Sequence, residues 1–270
     1  MKKIIKRTLI FGPLALVGLV VLFAAWNLLF PPMAGLRTHN PQTTAFIQYR
    51  QSQWKAQGKA HGVAQFWVPL SRISPYLSNA VIISEDDKFW QHEGFDWQAI
   101  KEAYERNRVR KKVRFGGSTI SQQLVKNLFL SPSRSIVRKA REVILTWRLE
   151  RTLSKKRILE IYLNVAEWGD GIYGAEAAAS YYFQTHASDL TPDEAARLAA
   201  ILPIPRRYTP GKIRNSEYLT RRSQEIQAVM RRRGLIDLEA EEPVLPPTRA
   251  PELIQQTPTT PEETIHEYID

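Results

Sequence analysis

The sequence predicts a mainly α-helical protein behind a single N-terminal membrane helix, on three observations. Thr8 to Phe30 is a run of 23 residues without a charge. From Tyr76 onward, apolar residues recur at spacings of three and four. Thr191-Pro192-Asp193-Glu194 is a helix start with threonine at the N-cap, proline in the first turn and glutamate closing a capping box.

The uncharged run comes first. As a helix it spans about 35 Å at 1.5 Å per residue, enough for a hydrocarbon core of about 30 Å. The apolar part of a cleaved signal peptide is shorter, about 7–15 residues, and no clean A-x-A site follows the run. Lys2, Lys3, Lys6 and Arg7 precede it, which places residues 1–7 in the cytoplasm and the rest of the chain outside. Residues 8–30 therefore read as an uncleaved signal anchor, and 31–75 as a membrane-proximal segment with a short strand at Phe66–Leu70.

The folded region, 76–234, reads as successive helices. Val81, Ile82 and Ile83 run into Glu85, with Phe89 and His92 beyond. Phe95 to Arg108 sets Trp97, Ile100 and Tyr104 on one face, and the aromatic and basic surface from Phe95 to Lys112 suits a membrane interface. After the Gly116-Gly117 break, Ile120, Leu124 and Leu128 form an apolar stripe. Ser131-Pro132-Ser133 opens a long helix whose buried side is expected to hold Ile136, Ala140, Val143, Ile144, Trp147 and Leu149. Ser154 caps a helix with Ile158, Ile161 and Tyr162, and glycines 169, 171 and 174 mark a loop. Ala195, Leu198, Ala199 and Leu202 follow Thr191, and Pro203 and Pro205 stop that helix.

Composition limits the chemistry. With 43% hydrophobic and 24% charged residues in 270, the chain is not disordered, and the lack of cysteine excludes disulfides, thiolate nucleophiles and cysteine zinc sites. The histidines are scattered and no H-E-x-x-H, G-x-S-x-G or G-x-x-x-x-G-K-[ST] occurs. Ser52-Gln-Trp-Lys55 matches S-x-x-K, but no K-T-G accompanies it. The net charge of +11 is uneven. Lys101–Arg157 carries 17 basic and 4 acidic residues, whereas the tail 235–270 carries 1 basic and 9 acidic residues with six prolines, and reads as a solvated extension. Because the basic block lies outside the membrane, its anion is a phosphate of a lipid or wall precursor rather than nucleic acid.

Carboxylates stand beside that block. Glu85-Asp86-Asp87 ends an apolar run. Thr119, Gln123 and Lys126 form a polar stripe at i, i+4 and i+7. Arg134, Arg138 and Arg141 repeat the spacing, with Glu142 four residues after Arg138. Such a set is either an exposed amphipathic surface with a weak Arg–Glu pair or a pyrophosphate site built on charge-assisted hydrogen bonds.

Read together, the motifs carry a resemblance. Glu85-Asp-Asp-Lys-Phe-Trp-Gln-His-Glu-Gly94 resembles the E-D-x-x-F-x-x-H-x-G motif of the peptidoglycan glycosyltransferases, glycosyltransferase family 51. Gly116-Gly-Ser-Thr-Ile-Ser-Gln-Gln-Leu-Val-Lys-Asn127, Arg138-Lys-Ala-Arg-Glu142 through Glu150, Lys156 to Asn164 and Glu194 to Pro205 resemble that family's next four motifs, in order. The resemblance is to its monofunctional biosynthetic members, since about 105 residues after Asn164 are too few for the transpeptidase domain of the bifunctional ones.

The resemblance implies a lysozyme-like, two-lobed domain that polymerises lipid II on a chain carried by undecaprenyl pyrophosphate, with inversion at the sugar. It places that domain on the periplasmic side of a bacterial inner membrane, among other wall-synthesis or division proteins. Glu85 matches the catalytic base and Glu142 a second catalytic carboxylate, which either orients a basic side chain or helps hold a divalent cation (magnesium or manganese); no tightly bound cofactor is implied. Lys126, Arg134 and Arg138 are the candidates to stabilise the pyrophosphate. Ser118, Thr119, Gln122, Gln123 and Asn127 join the substrate-binding set, and Asp86, Phe89 and His92 shape the site around Glu85. A peptidoglycan-cleaving enzyme on the same fold and a non-catalytic wall-synthesis scaffold are the alternatives, and the basic cluster argues against cleavage.

Overall fold

The computed structural model describes residues 2–59, 61–110, 117–133 and 135–236, with side chains from residue 15 onward except those of 109 and 110. Expectations placed on Lys111, Lys112, Arg134, Gly116 and the tail from 237 lie outside the described residues.

Helix α1 (Lys2–Leu29) covers the uncharged run, and it is the one helix among the described residues long and apolar enough to cross a membrane. Its outer side chains, Leu16 to Phe30, are exposed except where it meets the folded domain. Asn27 is buried there and donates to the Phe23 carbonyl.

The domain is built from α2 (Ala45–Ala56), α3 (Pro75–Glu85), α4 (Trp97–Arg110), α5 (Ile120–Phe129), α6 (Ile136–Thr152), α7 (Lys155–Val165), α8 (Ala175–Phe183), α9 (Pro192–Ile201), α10 (Pro210–Asn215) and α11 (Glu217–Arg232). Starts are chemically marked. Thr191 and Thr119 each complete a capping box with a residue three positions on, and Ser154 accepts from the Arg157 N–H. α9 packs on α3 and α11, and α5 on α6 and α7, around a core containing Leu77, Ile120, Leu124, Leu145, Leu149, Ile158, Trp168 and Leu198.

A small sheet of order β1-β3-β2 flanks the helices: β1 (Ala64–Gln65) runs parallel to β3 (Ile172–Tyr173), and β2 (Glu167–Gly169) antiparallel to it. The strand expected at Phe66–Leu70 is therefore displaced to Ala64–Gln65. Beyond it the Val68 N–H donates to Asn164 Oδ1 and the Leu70 N–H to Glu160 Oε2, so side chains of α7 satisfy the backbone that a strand partner would otherwise take.

On α4, Trp97 (73%) and Tyr104 (68%) are exposed, as an aromatic outer surface requires, and Ala103 faces inward. One expected buried face is corrected. On α6, Ile136, Ala140, Val143 and Trp147 face outward and Ile144 is half-buried, while Leu145 and Leu149 take the core positions as Leu149 was expected to. Periodicity marks an apolar face. It does not say what covers it, and α6 has two.

Candidate active site

The site grows from the end of α3. Its buried residues Leu77, Val81 and Ile82 hold the helix against the core, and Glu85 is its last residue. At Asp86 the backbone turns away (φ −162°, ψ 72°), and the Asp86 side chain enters the protein. Its carboxylate accepts from His92 Nε2 (2.9 Å) and from the Ile120 N–H (2.9 Å), one of the unpaired donors at the N-terminus of α5. His92 Nδ1 accepts in turn from the Gly94 N–H at 3.0 Å, which assigns the ring proton to Nε2. The Gly94 carbonyl accepts from Thr119 Oγ1 at 2.7 Å. Two motifs far apart in sequence are thus laced into one unit, and the geometry of Glu85 relative to α5 follows from it.

Gly94 is required for this lacing. Its φ is +94°, and a Cβ there would stand 3.0 Å from both Glu150 Cγ and Thr146 Cγ2. Gly94→Ala is expected to destabilise the fold by about 1–3 kcal/mol from backbone strain, read as a lower denaturant midpoint at unchanged slope.

One turn into α5, Gln123 reaches Glu85. Its Nε2 donates to Glu85 Oε2 at 2.8 Å, and its Oε1 accepts from the Tyr162 hydroxyl at 3.0 Å. Those two bonds fix which way the amide faces. Burial pushes the Glu85 carboxyl above its ordinary value of 4.5; the Gln123 bond and the positive charges of Arg222 and Lys126 oppose the rise, and Asp86 adds to it. Burial also drives the Tyr162 hydroxyl well above its ordinary value of 10.0, so it serves as a donor.

Lys126 stands a turn further along α5, half-buried, and its ammonium makes no hydrogen bond or ion pair among the described residues. Burial pulls it below the ordinary lysine value of 10.5; the negative charge of Glu142 is the strongest opposing influence, with Arg138 acting in the same direction as burial and Glu85 against it. Glu142, buried on α6, has both oxygens engaged, one by Arg138 Nη1 at 2.5 Å and the other by Lys139 Nζ. Each Glu142 oxygen thus already faces a cation of the protein itself. Among the described residues no cluster of three His, Asp or Glu side chains is placed to hold a divalent cation.

Two openings flank the α5 stripe. A cleft of about 570 Å³ is lined by Glu85, Asp87, Lys88, Ser118, Thr119 and Arg222, among others. A smaller one of about 210 Å³ is lined by Arg50, Gln123, Lys126, Asn127, Tyr162 and Glu167 among others, with Arg50 paired to Glu167 at 3.1 Å. Gln123 and Lys126 on one side, and Glu85 and Ser118 on the other, thus face solvent-filled space within one constellation. Asp86, His92, Thr119 and Gln122 direct their polar groups into the internal hydrogen bonds, and Phe89 is fully buried beneath the Lys155 ammonium at 4.5 Å. Arg134 lies outside the described residues. Sequence reasoning missed Arg222, Lys139, the Tyr162 hydroxyl and the Arg50–Glu167 pair. Only Lys139 and Tyr162 carried a signal, since both fall inside the motifs.

Comparisons with known proteins agree in one direction. The family described as Transglycosylase matches residues 52–231. The chain is similar to biosynthetic peptidoglycan transglycosylases of Azoarcus sp., at 51% identity over 72% of this chain and 84% of that one, and of Methylobacillus flagellatus, at 48% over 84% and 97%. A third, from Herminiimonas arsenicoxydans, is 44% identical over 87% of this chain and 99% of its own.

Proposed function

From the premise that this chain belongs to the transglycosylase family and is a peptidoglycan glycosyltransferase of lysozyme-like, mainly helical fold, we propose that it polymerises lipid II into β-1,4-linked glycan strands with release of undecaprenyl pyrophosphate, Glu85 being the general base. In this reaction Glu85 takes the proton from the 4-hydroxyl of the incoming GlcNAc. The freed oxygen attacks C1 of the MurNAc at the reducing end of the growing chain, and the pyrophosphate leaves from the opposite face, inverting the centre. The observation that carries the reading is the Glu85–Gln123–Tyr162 relay beside Lys126, whose ammonium has no partner among the described residues. It presents a base of raised pKa next to a cation that meets the growing negative charge on the leaving oxygen.

Arg138 supplies a second cation, and Glu142 holds Arg138 and Lys139 in place. Ser118 and Asn127, at the two openings, take sugar or phosphate groups. Helix α1 tethers the enzyme to the bilayer that carries its substrate, raising the effective concentration at which they meet. Lys2, Lys3, Lys6 and Arg7 orient α1 with its start in the cytoplasm and the domain on the outer face of the inner membrane.

Labelled lipid II incubated with the purified protein in detergent is expected to give a ladder of polymer on a gel. Lipid II left intact while finished glycan strands shorten would overturn the reading in favour of cleavage. Inactivity on both would leave a scaffold.

A further inference from the structure

The residues that hold the start of α5 form a ring around one ammonium. Asp86 accepts from the Ile120 N–H, at the first residue of α5, and from His92 Nε2, each at 2.9 Å. Glu150, near the end of α6, accepts from the hydroxyl of Ser121, the second residue of α5. Between His92 and Glu150 stands Lys155, the first residue of α7. Its Nζ donates to Glu150 Oε1 at 2.7 Å, and lies 3.5 Å from His92 Nδ1 and 4.5 Å from the centre of the Phe89 ring. Lys155, Glu150, Ser121, Ile120, Asp86 and His92 thus make a closed circuit that joins the ends and starts of four helices and the turn after α3.

That circuit is nearly shut off from water. The side chains of Asp86, Glu150 and His92 are 2%, 7% and 9% exposed, and that of Lys155 20%. A carboxylate in such surroundings needs a cation, and a buried polar network keeps its geometry only while its members have their partners. Lys155 is the member that touches both arms. A tetrahedral ammonium with three donors suits a carboxylate, an imidazole nitrogen and an aromatic face at once, which a planar guanidinium does not. It faces an acceptor on the imidazole, since Nδ1 already accepts from the Gly94 N–H at 3.0 Å. Just beyond Ile120 and Ser121 the same helix carries Gln123, whose Nε2 reaches Glu85 at 2.8 Å. A slide or rotation of the start of α5 moves that amide.

We propose that Lys155 is a positioning residue of the reaction: through Glu150, and through His92 and Asp86, it clamps the first two residues of α5 and so sets Gln123 against Glu85. Lys155 lines neither opening beside the α5 stripe, so it acts on the base at one remove. Its effect on turnover rests on the proposed function, whereas its effect on α5 does not.

Lys155→Met in the full chain in detergent tests the clamp. Because this change leaves the buried Glu150 without its cation, Lys155→Met is also combined with Glu150→Gln, which removes both charges together. Glutamine-selective isotope labelling for nitrogen NMR reports the Gln123 side-chain amide, assigned by its loss in Gln123→Leu. Both variants are expected to shift the Gln123 signal and to lower kcat on lipid II by about 10–10²-fold, the cost of a small misplacement at a reacting centre, with KM changed by no more than about twofold. A residue that serves stability alone would lower the melting temperature and leave the Gln123 signal and kcat of the folded protein as in wild type. That result overturns the proposal, as does a shifted signal with unchanged kcat. If Lys155→Met does not fold, the paired variant decides, and failure of both to fold would make Lys155 a requirement of the fold and overturn the proposal too. Wild-type protein that leaves lipid II untouched fails the proposed function instead; there the Gln123 shift upholds the clamp and its absence overturns it.

Discussion

Glu85→Gln is expected to lower lipid II polymerisation by about 10²–10⁴-fold, the usual worth of a positioned general base, while leaving substrate binding nearly intact. The amide keeps the shape of the carboxyl and the contact with Gln123 but cannot accept the proton. Burial holds the Glu85 pKa above 4.5, so the acid limb of kcat/KM in the wild type is expected above that value, moving still higher in Gln123→Leu, where the opposing hydrogen bond is gone. The same shift makes a stability statement. A carboxyl with a raised folded-state pKa binds its proton more tightly in the folded protein, so it favours folding below pH 4.5 and loses that contribution as pH rises through the folded-state value. Glu85→Gln removes the loss, and its Tm at neutral pH is expected above that of wild type. A mutant that is inactive and less stable would point to a structural role for Glu85.

Lys126→Met is the second large effect. It is expected to reduce kcat by about 10²–10³-fold, the scale of losing one preorganised group at a site of developing charge. The residue is half-buried and unpaired among the described residues, while Arg138 and Lys139 are already engaged by Glu142. An unpaired ammonium held beside two carboxylates has little ground-state partner to give up and gains most when a pyrophosphate leaves. Its lowered pKa places the basic limb of the rate profile below 10.5, and that limb is expected to vanish in Lys126→Met while the acid limb of Glu85 persists. An unchanged kcat with a raised KM would assign Lys126 to binding alone.

Much of this site was legible before the fold was known, because it is written in local chemistry. The N-cap at Thr191 and the serine cap at Ser154 act within three residues, and a 23-residue uncharged run is long enough for a membrane whatever surrounds it. Glu85, Gln123, Lys126 and Glu142 were nameable from motifs. The Gln123 bond to Glu85, 38 residues away, and the Tyr162 bond to Gln123, 39 away, were not, since each depends on α3, α5 and α7 meeting in space. Arg222, whose charge acts on Glu85 from α11, sits in a plain Arg-Arg pair with no motif around it.

By itself, then, the sequence determined the helical class, the long apolar N-terminal helix and the identity of most polar groups at the site, all of which rest on spacing and side-chain chemistry along a few turns. Only the tertiary structure decided how those groups are paired: that Asp86 closes onto the first N–H of α5, that both oxygens of Glu142 are engaged while Lys126 stands unpaired among the described residues, and that Arg50 meets Glu167 across 117 residues. It also decided which apolar face of α6 meets the core and which is left outward. A helix presents its residues to every direction at once, and the neighbours brought by the rest of the chain determine which direction is inside.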